Sequence, residues 1–481
     1  MRCKTILISA LLLMSIPPVA RAEVRLQEQP EVADAITVLD RWIEQQIGIR
    51  GVPGLSIAIV YDQEIVWAKG YGYADLEEKT PATPSTVYRI GSITKVFTST
   101  AIMQLRDQGK LRLDDPVSMH LPWFSVPKRF PDAPEITIRQ LLTHTSGLAR
   151  EPDFPYWTDH VFPTREELAE AVVKQDPVHA PETTSHYSNL GMALLGEIVT
   201  EVSGQPWADY VKDQILQPLG MLSSSAAPGE KLLQRRAIGY MRLMPDGTRN
   251  VFDYYDTGAI APAGSIVSTV EDLSLFASLQ FRDGPAGGDQ ILKGSTLREM
   301  HRVDWVYDSF TGGRGLGYDV SHRGGKTFVG KTGSIGGNVN RLLLMPREKI
   351  AVVVSLNADD GNTFRFANQA YEIVAPALVK ATRKPDPKTE EDPSWQRYVG
   401  LYADPWGWEY EVLILGGELV IYGYSYPPYD DASYGYSKLT PVEHTTFRRP
   451  NNDLVTFELD EDGNVIRIKR NNNYLFPKEK E

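Results

Sequence analysis

Gly91-Ser92-Ile93-Thr94-Lys95, continued by Val96-Phe97-Thr98-Ser99-Thr100-Ala101-Ile102-Met103-Gln104-Leu105, is the stretch on which the reading of this chain turns. Apolar residues recur after Lys95 at helical spacing. A serine hydroxyl is a poor nucleophile until a base takes its proton. A lysine three residues further along a helix lies on the same face, one turn away, where its amine can reach that hydroxyl. The amine acts as base only while neutral, which burial or a neighbouring cation promotes. Ser92 and Lys95 are therefore a candidate nucleophile and base. Ser-x-x-Lys is too common to decide anything alone, and its weight comes from its surroundings.

Working outward, residues 27–380 mix strands with helices. Gly54-Leu55-Ser56-Ile57-Ala58-Ile59-Val60 and Glu64-Ile65-Val66-Trp67-Ala68 read as neighbouring strands joined at Tyr61-Asp62-Gln63. Helical periodicity follows near 94–108, 164–174, 190–203, 208–215 and 270–281. Arg341-Leu342-Leu343-Leu344-Met345 and Ile350-Ala351-Val352-Val353-Val354-Ser355-Leu356 read as strands about a turn at Pro346-Arg347, with a helix over 364–379. Strands at both ends with helices between predict an α+β unit: an antiparallel sheet built from both termini, flanked by helices, with a helical subdomain.

Residues 383–393 are charged and punctuated by proline, as a linker is. Beyond them the pattern changes to strands and tight turns. Gly416-Gly417 between Val412-Leu413-Ile414-Leu415 and Glu418-Leu419-Val420-Ile421-Tyr422 predicts a hairpin. Asp462-Gly463 predicts another between Thr456-Phe457-Glu458-Leu459 and Val465-Ile466-Arg467-Ile468. Residues 394–481 are expected to form a small all-β domain, such as a barrel. Its tyrosines and tryptophans either line a ligand cup or, in the commoner use of such residues, fill the core and the strand faces.

Residues 1–22 read as a secretory signal: Arg2 and Lys4, an almost wholly apolar run over 6–16, then Ala20-Arg21-Ala22 as a small-x-small cleavage site. The run is too short, and closed too soon by Pro17-Pro18, for a membrane span, so no stable anchor is expected. The working domain would then occupy 23–382, in a secreted or periplasmic protein. Cleavage would remove the one cysteine, Cys3, leaving neither disulfide nor cysteine–metal site. A formal charge of −12 argues against nucleic acid or an anionic membrane surface as partner. The histidines show no metal-ligand spacing, and no cofactor is implied.

Three further segments can complete a site with Ser92. Tyr187-Ser188-Asn189 precedes a helical pattern that begins at Leu190. A tyrosine hydroxyl beside two ammonium groups would have its pKa lowered and could pass a proton to a leaving group. Asn189 could donate to a substrate carbonyl and hold Lys95. Lys331-Thr332-Gly333-Ser334, on an edge strand beside the nucleophile, would offer a cation, a hydroxyl and, with Ser92, backbone amides for an oxyanion hole. Taken singly, each segment is more often a turn or plain surface; their order and spacing after Ser92 give them meaning.

With these residues in place, the chain resembles the serine β-lactamase and penicillin-binding-protein superfamily, especially class C β-lactamases, D-peptidases and their esterase relatives. The matching segments are Gly91-Ser92-Ile93-Thr94-Lys95, Leu141-Leu142-Thr143-His144-Thr145-Ser146-Gly147-Leu148, Tyr187-Ser188-Asn189-Leu190-Gly191, Pro262-Ala263-Gly264-Ser265 and Lys331-Thr332-Gly333. The resemblance implies a β-lactamase-like fold in which Ser92 is acylated, Lys95 and Tyr187 share the proton transfers, and Lys331 aids Tyr187 or binds a substrate carboxylate. It makes His144 structural. Asn189, Thr332, Gly333 and Ser334 would bind substrate, a small molecule or short peptide. Peptides with D-residues, β-lactams and small esters compete as substrates. A lysine at 331, where many relatives carry histidine, leans toward the β-lactamase and peptidase branch. The tail resembles the lipocalin-like β domain appended to some of these peptidases, which favours a peptide or ester.

A rival of another class is a binding or sensing module for a penicillin or cell-wall fragment, with little turnover; the complete Ser92, Lys95 and Tyr187 set argues instead for an enzyme. Gly325-Lys326-Thr327-Phe328-Val329-Gly330-Lys331-Thr332 also matches the phosphate-binding loop pattern literally. That loop needs a helix starting at Lys331, whereas glycines and strand residues follow.

Overall fold

The computed structural model describes residues 25–127, 129–284, 290–383, 392–424 and 436–479. The chain divides into two units, Met1–Thr382 and Arg383–Glu481. The expected signal and most of the expected linker lie outside the described residues.

The first unit is built on an antiparallel sheet. Its main strands are β1 (Gly54–Tyr61), β2 (Glu64–Asp75), β3 (Asp319–Arg323), β4 (Lys326–Ile335), β5 (Asn338–Met345) and β6 (Ile350–Leu356). They lie in the order β2-β1-β6-β5-β4-β3, with Thr80–Pro81 beyond β2 and Gly312–Arg314 then Trp305–Val306 beyond β3. Leu55 faces Leu356 and Tyr61 faces Ile350, so strands from the two ends of the unit share the sheet centre. Successive side chains go to opposite faces. Leu342 and Leu344 enter one hydrophobic cluster while Leu343 and Met345 enter the other. Both faces are therefore covered, which is why β1 and β6 read as continuous apolar runs rather than alternating ones.

Two helices cover one face: α1 (Pro30–Arg50) and α5 (Thr363–Thr382), through Leu39, Ile43, Phe366, Tyr371 and Val374. Pro30 opens α1 and Gly51 closes it in the left-handed conformation. The other face carries α2 (Thr94–Asp107), α3 (Asn189–Ser203) and α4 (Val270–Leu279), where Phe97 stacks on Phe276 with centroids 4.2 Å apart. Each fully buried aliphatic or aromatic side chain here is worth about 1.5–3 kcal/mol relative to exposure. The run matching a phosphate loop lies in β4 and the turn before it, and no helix starts at Lys331.

The second unit is all β. Its strands are β7 (Gly400–Ala403), β8 (Glu409–Leu415), β9 (Glu418–Gly423), β10 (Tyr436–Lys438), β11 (Thr440–Glu443), β12 (Thr446–Arg448), β13 (Leu454–Leu459), β14 (Val465–Arg470) and β15 (Asn473–Lys478). The order is β10-β9-β8-β7-β15-β14-β13-β12-β11. β10 and β11 sit at opposite edges yet are separated in sequence by Leu439 alone, so the sheet must curl into a nearly closed barrel. Gly416 and Gly417 take φ of +62° and +81°, as the expected tight hairpin requires. The Asp462-Gly463 hairpin forms between the expected strands. Leu459 pairs with Val465 across a longer loop, in which Asp460 Oδ1 accepts from the Asp462 and Asn464 amides. The aromatic residues follow the commoner of the two uses, since Trp395, Tyr398, Tyr402, Phe447 and Phe457 pack with aliphatic residues into a filled core.

Candidate active site

Ser92 sits on a short 3-10 turn, Gly91–Ile93, that runs directly into α2. Gly91 has φ +51°, and a Cβ there would lie 2.8 Å from the Ser334 nitrogen. A Cβ on Gly333 would meet the Ile90 carbonyl oxygen at 1.8 Å. Two glycines thus let β4 press against the serine turn, a closeness that no side chain at either position permits. The sheet order makes β4 an interior strand, not the expected edge. However, β3 pairs only as far as Gly330, so the stretch from Lys331 to Ser334 has its outer side open toward Ser92.

Lys95 lies one turn along α2, fully buried, with its Nζ 3.0 Å from Ser92 Oγ. The same amine donates to the Ala263 carbonyl at 2.7 Å. That carbonyl belongs to the matched Pro262-Ala263-Gly264-Ser265 segment, which Gly196 of α3 admits: a Cβ on Gly196 would lie 2.1 Å from Pro262 Cγ. Burial, reinforced by the nearby Lys331 charge, holds the Lys95 amine well below the usual lysine range.

Tyr187 donates its hydroxyl proton to Ser92 Oγ at 2.8 Å. Its position is fixed by the start of α3, where Ser188 caps the helix by accepting from the Gly191 amide at 2.9 Å. Behind it, His144 packs ring to ring at 4.5 Å, and its Nδ1 accepts from the Ser188 amide at 3.3 Å. His144 is buried and, surrounded by cations, stays well below the ordinary histidine range. It buttresses the Tyr187 turn, in keeping with the structural part that the resemblance gave it.

Two expectations for this corner are corrected. The Tyr187 hydroxyl is pushed above the usual tyrosine range, not below it. Burial outweighs the surrounding cations, and the nearest of them, Lys95, is itself held toward its neutral form. Asn189 does not bond Lys95 either. Its Nδ2 donates to Glu151 Oε1 at 2.6 Å, while the other Glu151 oxygen receives the Tyr156 hydroxyl.

On β4, Lys331 Nζ lies 5.1 Å from the Tyr187 ring centroid and 3.5 Å from Asp319 Oδ2. Burial lowers its pKa and Asp319 partly restores it. Thr332 Oγ1 accepts from Arg341 at 2.9 Å. Gly336 and Gly337, both with positive φ, make a two-residue turn that closes on Ile335 and Asn338. In that register Ser334 and Val339 form a pair that exchanges no ladder bonds, so the Ser334 N–H points away from β5. The contact at Gly91 puts that nitrogen beside the Ser92 turn.

Sequence reasoning missed several neighbours. Arg150 and Arg314 lie 5.1 and 5.9 Å from the Tyr187 centroid, so with Lys95 and Lys331 four basic side chains surround one ring. Asp319 pairs with Arg314 and Lys331, and these cations with Arg341 outweigh burial to keep its pKa low. Arg150 and Glu151 follow the matched Leu148 by two and three residues, a proximity that could have flagged them. Arg314 and Asp319 carry no local signal.

A Ser–Lys–Tyr cluster at the foot of a buried helix, beside a glycine-opened strand, defines the class to which the fold also points. Residues 39–376 match the Beta-lactamase family model. The chain belongs to this family, within the serine β-lactamase and penicillin-binding-protein superfamily. Beta-lactamase-like protein 2 of Dictyostelium discoideum is 31% identical over 358 residues, 73% of this chain and 64% of that protein. Protein flp of Staphylococcus aureus is 32% identical over 249 residues, 51% of this chain and 49% of that protein. The chain thus spans about half to two thirds of these relatives' lengths. The octameric penicillin-binding protein homologue from Pyrococcus abyssi superposes with a TM-score of 0.61 at 26% identity, covering 92% of this chain and 99% of that one.

Proposed function

We propose that the protein is an exported acyl-serine hydrolase of amides or esters, with a small molecule or short peptide as substrate. One observation carries the reading: Ser92 Oγ lies between a buried amine at 3.0 Å and a tyrosine hydroxyl at 2.8 Å. Lys95, held toward its neutral form, takes the serine proton as Oγ attacks the carbonyl. The Ser92 and Ser334 amides stabilise the oxyanion. Tyr187, a neutral hydroxyl with a raised pKa, gives its proton to the leaving group, and the amine then returns one to the phenolate. Water repeats the cycle in reverse to free Ser92. Lys331, Arg150 and Arg314 crowd the Tyr187 side with positive charge and favour a leaving group that carries a carboxylate.

Acid quenching of a p-nitrophenyl butyrate reaction during turnover, followed by peptide mass analysis, tests this reading. One butyryl group on the peptide carrying Ser92 is expected, with none in Ser92→Ala. Sustained product release with the label on another residue would overturn it. A stable adduct with no further product would identify a binder that acylates once.

A further inference from the structure

The barrel spends structure on holding two indoles in water. The loop from β7 to β8 reads Asp404-Pro405-Trp406-Gly407-Trp408, and Trp406 is 86% exposed and Trp408 52%. Single exposed apolar residues are ordinary, but neighbouring ones that form a patch mark interaction sites. These are not left floppy. Asp404 Oδ1 accepts from the Trp406 and Trp408 amides at 2.9 and 3.0 Å. The Asp404 amide donates to the Trp408 carbonyl at 3.0 Å, and Gly407 supplies the φ of +87° that the turn requires. The second Asp404 oxygen takes Asn473 Nδ2 at 3.1 Å, which ties the loop to the turn between β14 and β15. A loop backbone fixed before binding loses less entropy on binding.

That second turn is Asn471-Asn472, flanked by Arg470 and Asn473. Between the two loops runs a shallow groove of about 690 Å³, lined by Asp404, Trp406, Trp408, Tyr410, Arg470 and the three asparagines. Arg470 lies over the Tyr410 ring at 4.9 Å and brings a single positive charge to this lining. The groove therefore offers flat apolar faces beside side-chain amides and the Asp404 carboxylate, whose oxygens already accept from the loop amides and Asn473. Such a surface matches a pyranose, whose C–H face stacks on an indole while its rim hydroxyls pair with amides. It does not match a polyanion, which would need several free cations. The chain's charge of −12 also opposes an anionic membrane surface.

We propose that the second unit binds a saccharide chain in this groove, with Trp406 and Trp408 as its stacking platform. The site is independent of Ser92 chemistry. Titration of the full chain with chitohexaose and with cellohexaose, followed by tryptophan fluorescence and calorimetry, tests it and separates N-acetylated from plain pyranoses. Saturable binding of at least one sugar is expected. It should weaken ~10-fold or more in Trp406→Ala and in Trp408→Ala, with the melting temperature held near that of the parent because the rings are exposed. Asn471→Ala, which leaves the aromatic platform intact, should weaken binding less. Failure of both sugars to bind at millimolar concentration, or equal binding by the double tryptophan variant, would overturn the proposal. So would sugar-independent sedimentation with phosphatidylcholine–phosphatidylglycerol vesicles that is lost in the same variants.

Discussion

Asn189 Nδ2 lies 2.6 Å from Glu151 Oε1, tying the first residue of α3 to the segment that follows Leu148. The same carboxylate receives the hydroxyl of Tyr156, a fully buried residue. Glu151→Ala leaves two donors without this acceptor and should cost about 1–3 kcal/mol of stability. Glu151→Gln, which keeps an acceptor oxygen, should cost less. Urea denaturation of the three proteins measures both, and a fully stable Glu151→Ala protein would show that the network does not hold α3.

Lys331 supplies the second cause of the depressed Lys95 pKa, after burial. Removing a neighbouring positive charge favours the ammonium form, so Lys331→Met should raise the Lys95 pKa. Activity that needs the neutral amine rises with pH through that pKa. The acidic limb of a kcat/KM–pH profile should therefore move to higher pH in Lys331→Met. A limb that stays in place, or moves to lower pH, would rule out Lys95 as the titrating base.

Tyr187→Phe keeps the ring against His144 and removes only the hydroxyl that reaches Ser92. A positioned acid contributes ~10²–10⁴-fold, and kcat should fall by that amount with the fold unchanged. The loss should be smaller for esters whose leaving group needs no proton, such as p-nitrophenolate. Near-normal turnover of an unactivated amide by the variant would assign the proton to another group.

Gly333→Ala tests the packing beneath the site. Its Cβ would fall 1.8 Å from the Ile90 oxygen, so β4 must retreat from the serine turn. A misplacement of about 1 Å can cost ~10²-fold in rate, and a loss of that order is expected alongside a circular dichroism spectrum like the parent's. Full activity in the variant would mean that β4 does not set the geometry at Ser92.

Much of this was legible in the sequence because the relevant signals are local. Ser92 and Lys95 share a helix turn, Tyr187 sits at a helix cap, and β1, β5 and β6 are apolar runs. The misread features are those in which distant segments compete. The sequence around Asn189 and Lys95 holds no hint that Glu151 takes the amide and Ala263 the amine. The raised Tyr187 pKa depends on burial supplied by several segments. Helix α1 was overlooked although it carries a local signal of its own, Val32, Ile36, Leu39, Ile43 and Ile47 at three- and four-residue spacing. In the barrel, the hairpin around Asp462-Gly463 was legible, and what its sequence hid is that Asp460 gathers two amides of the loop.

The central claim is that Ser92 carries the chemistry, and hydrolysis of p-nitrophenyl butyrate by the parent protein and Ser92→Ala, side by side, tests it most directly. Activity in the parent with a loss of ~10³-fold or more in a folded Ser92→Ala protein is the predicted result. Equal turnover by the two proteins would contradict the account.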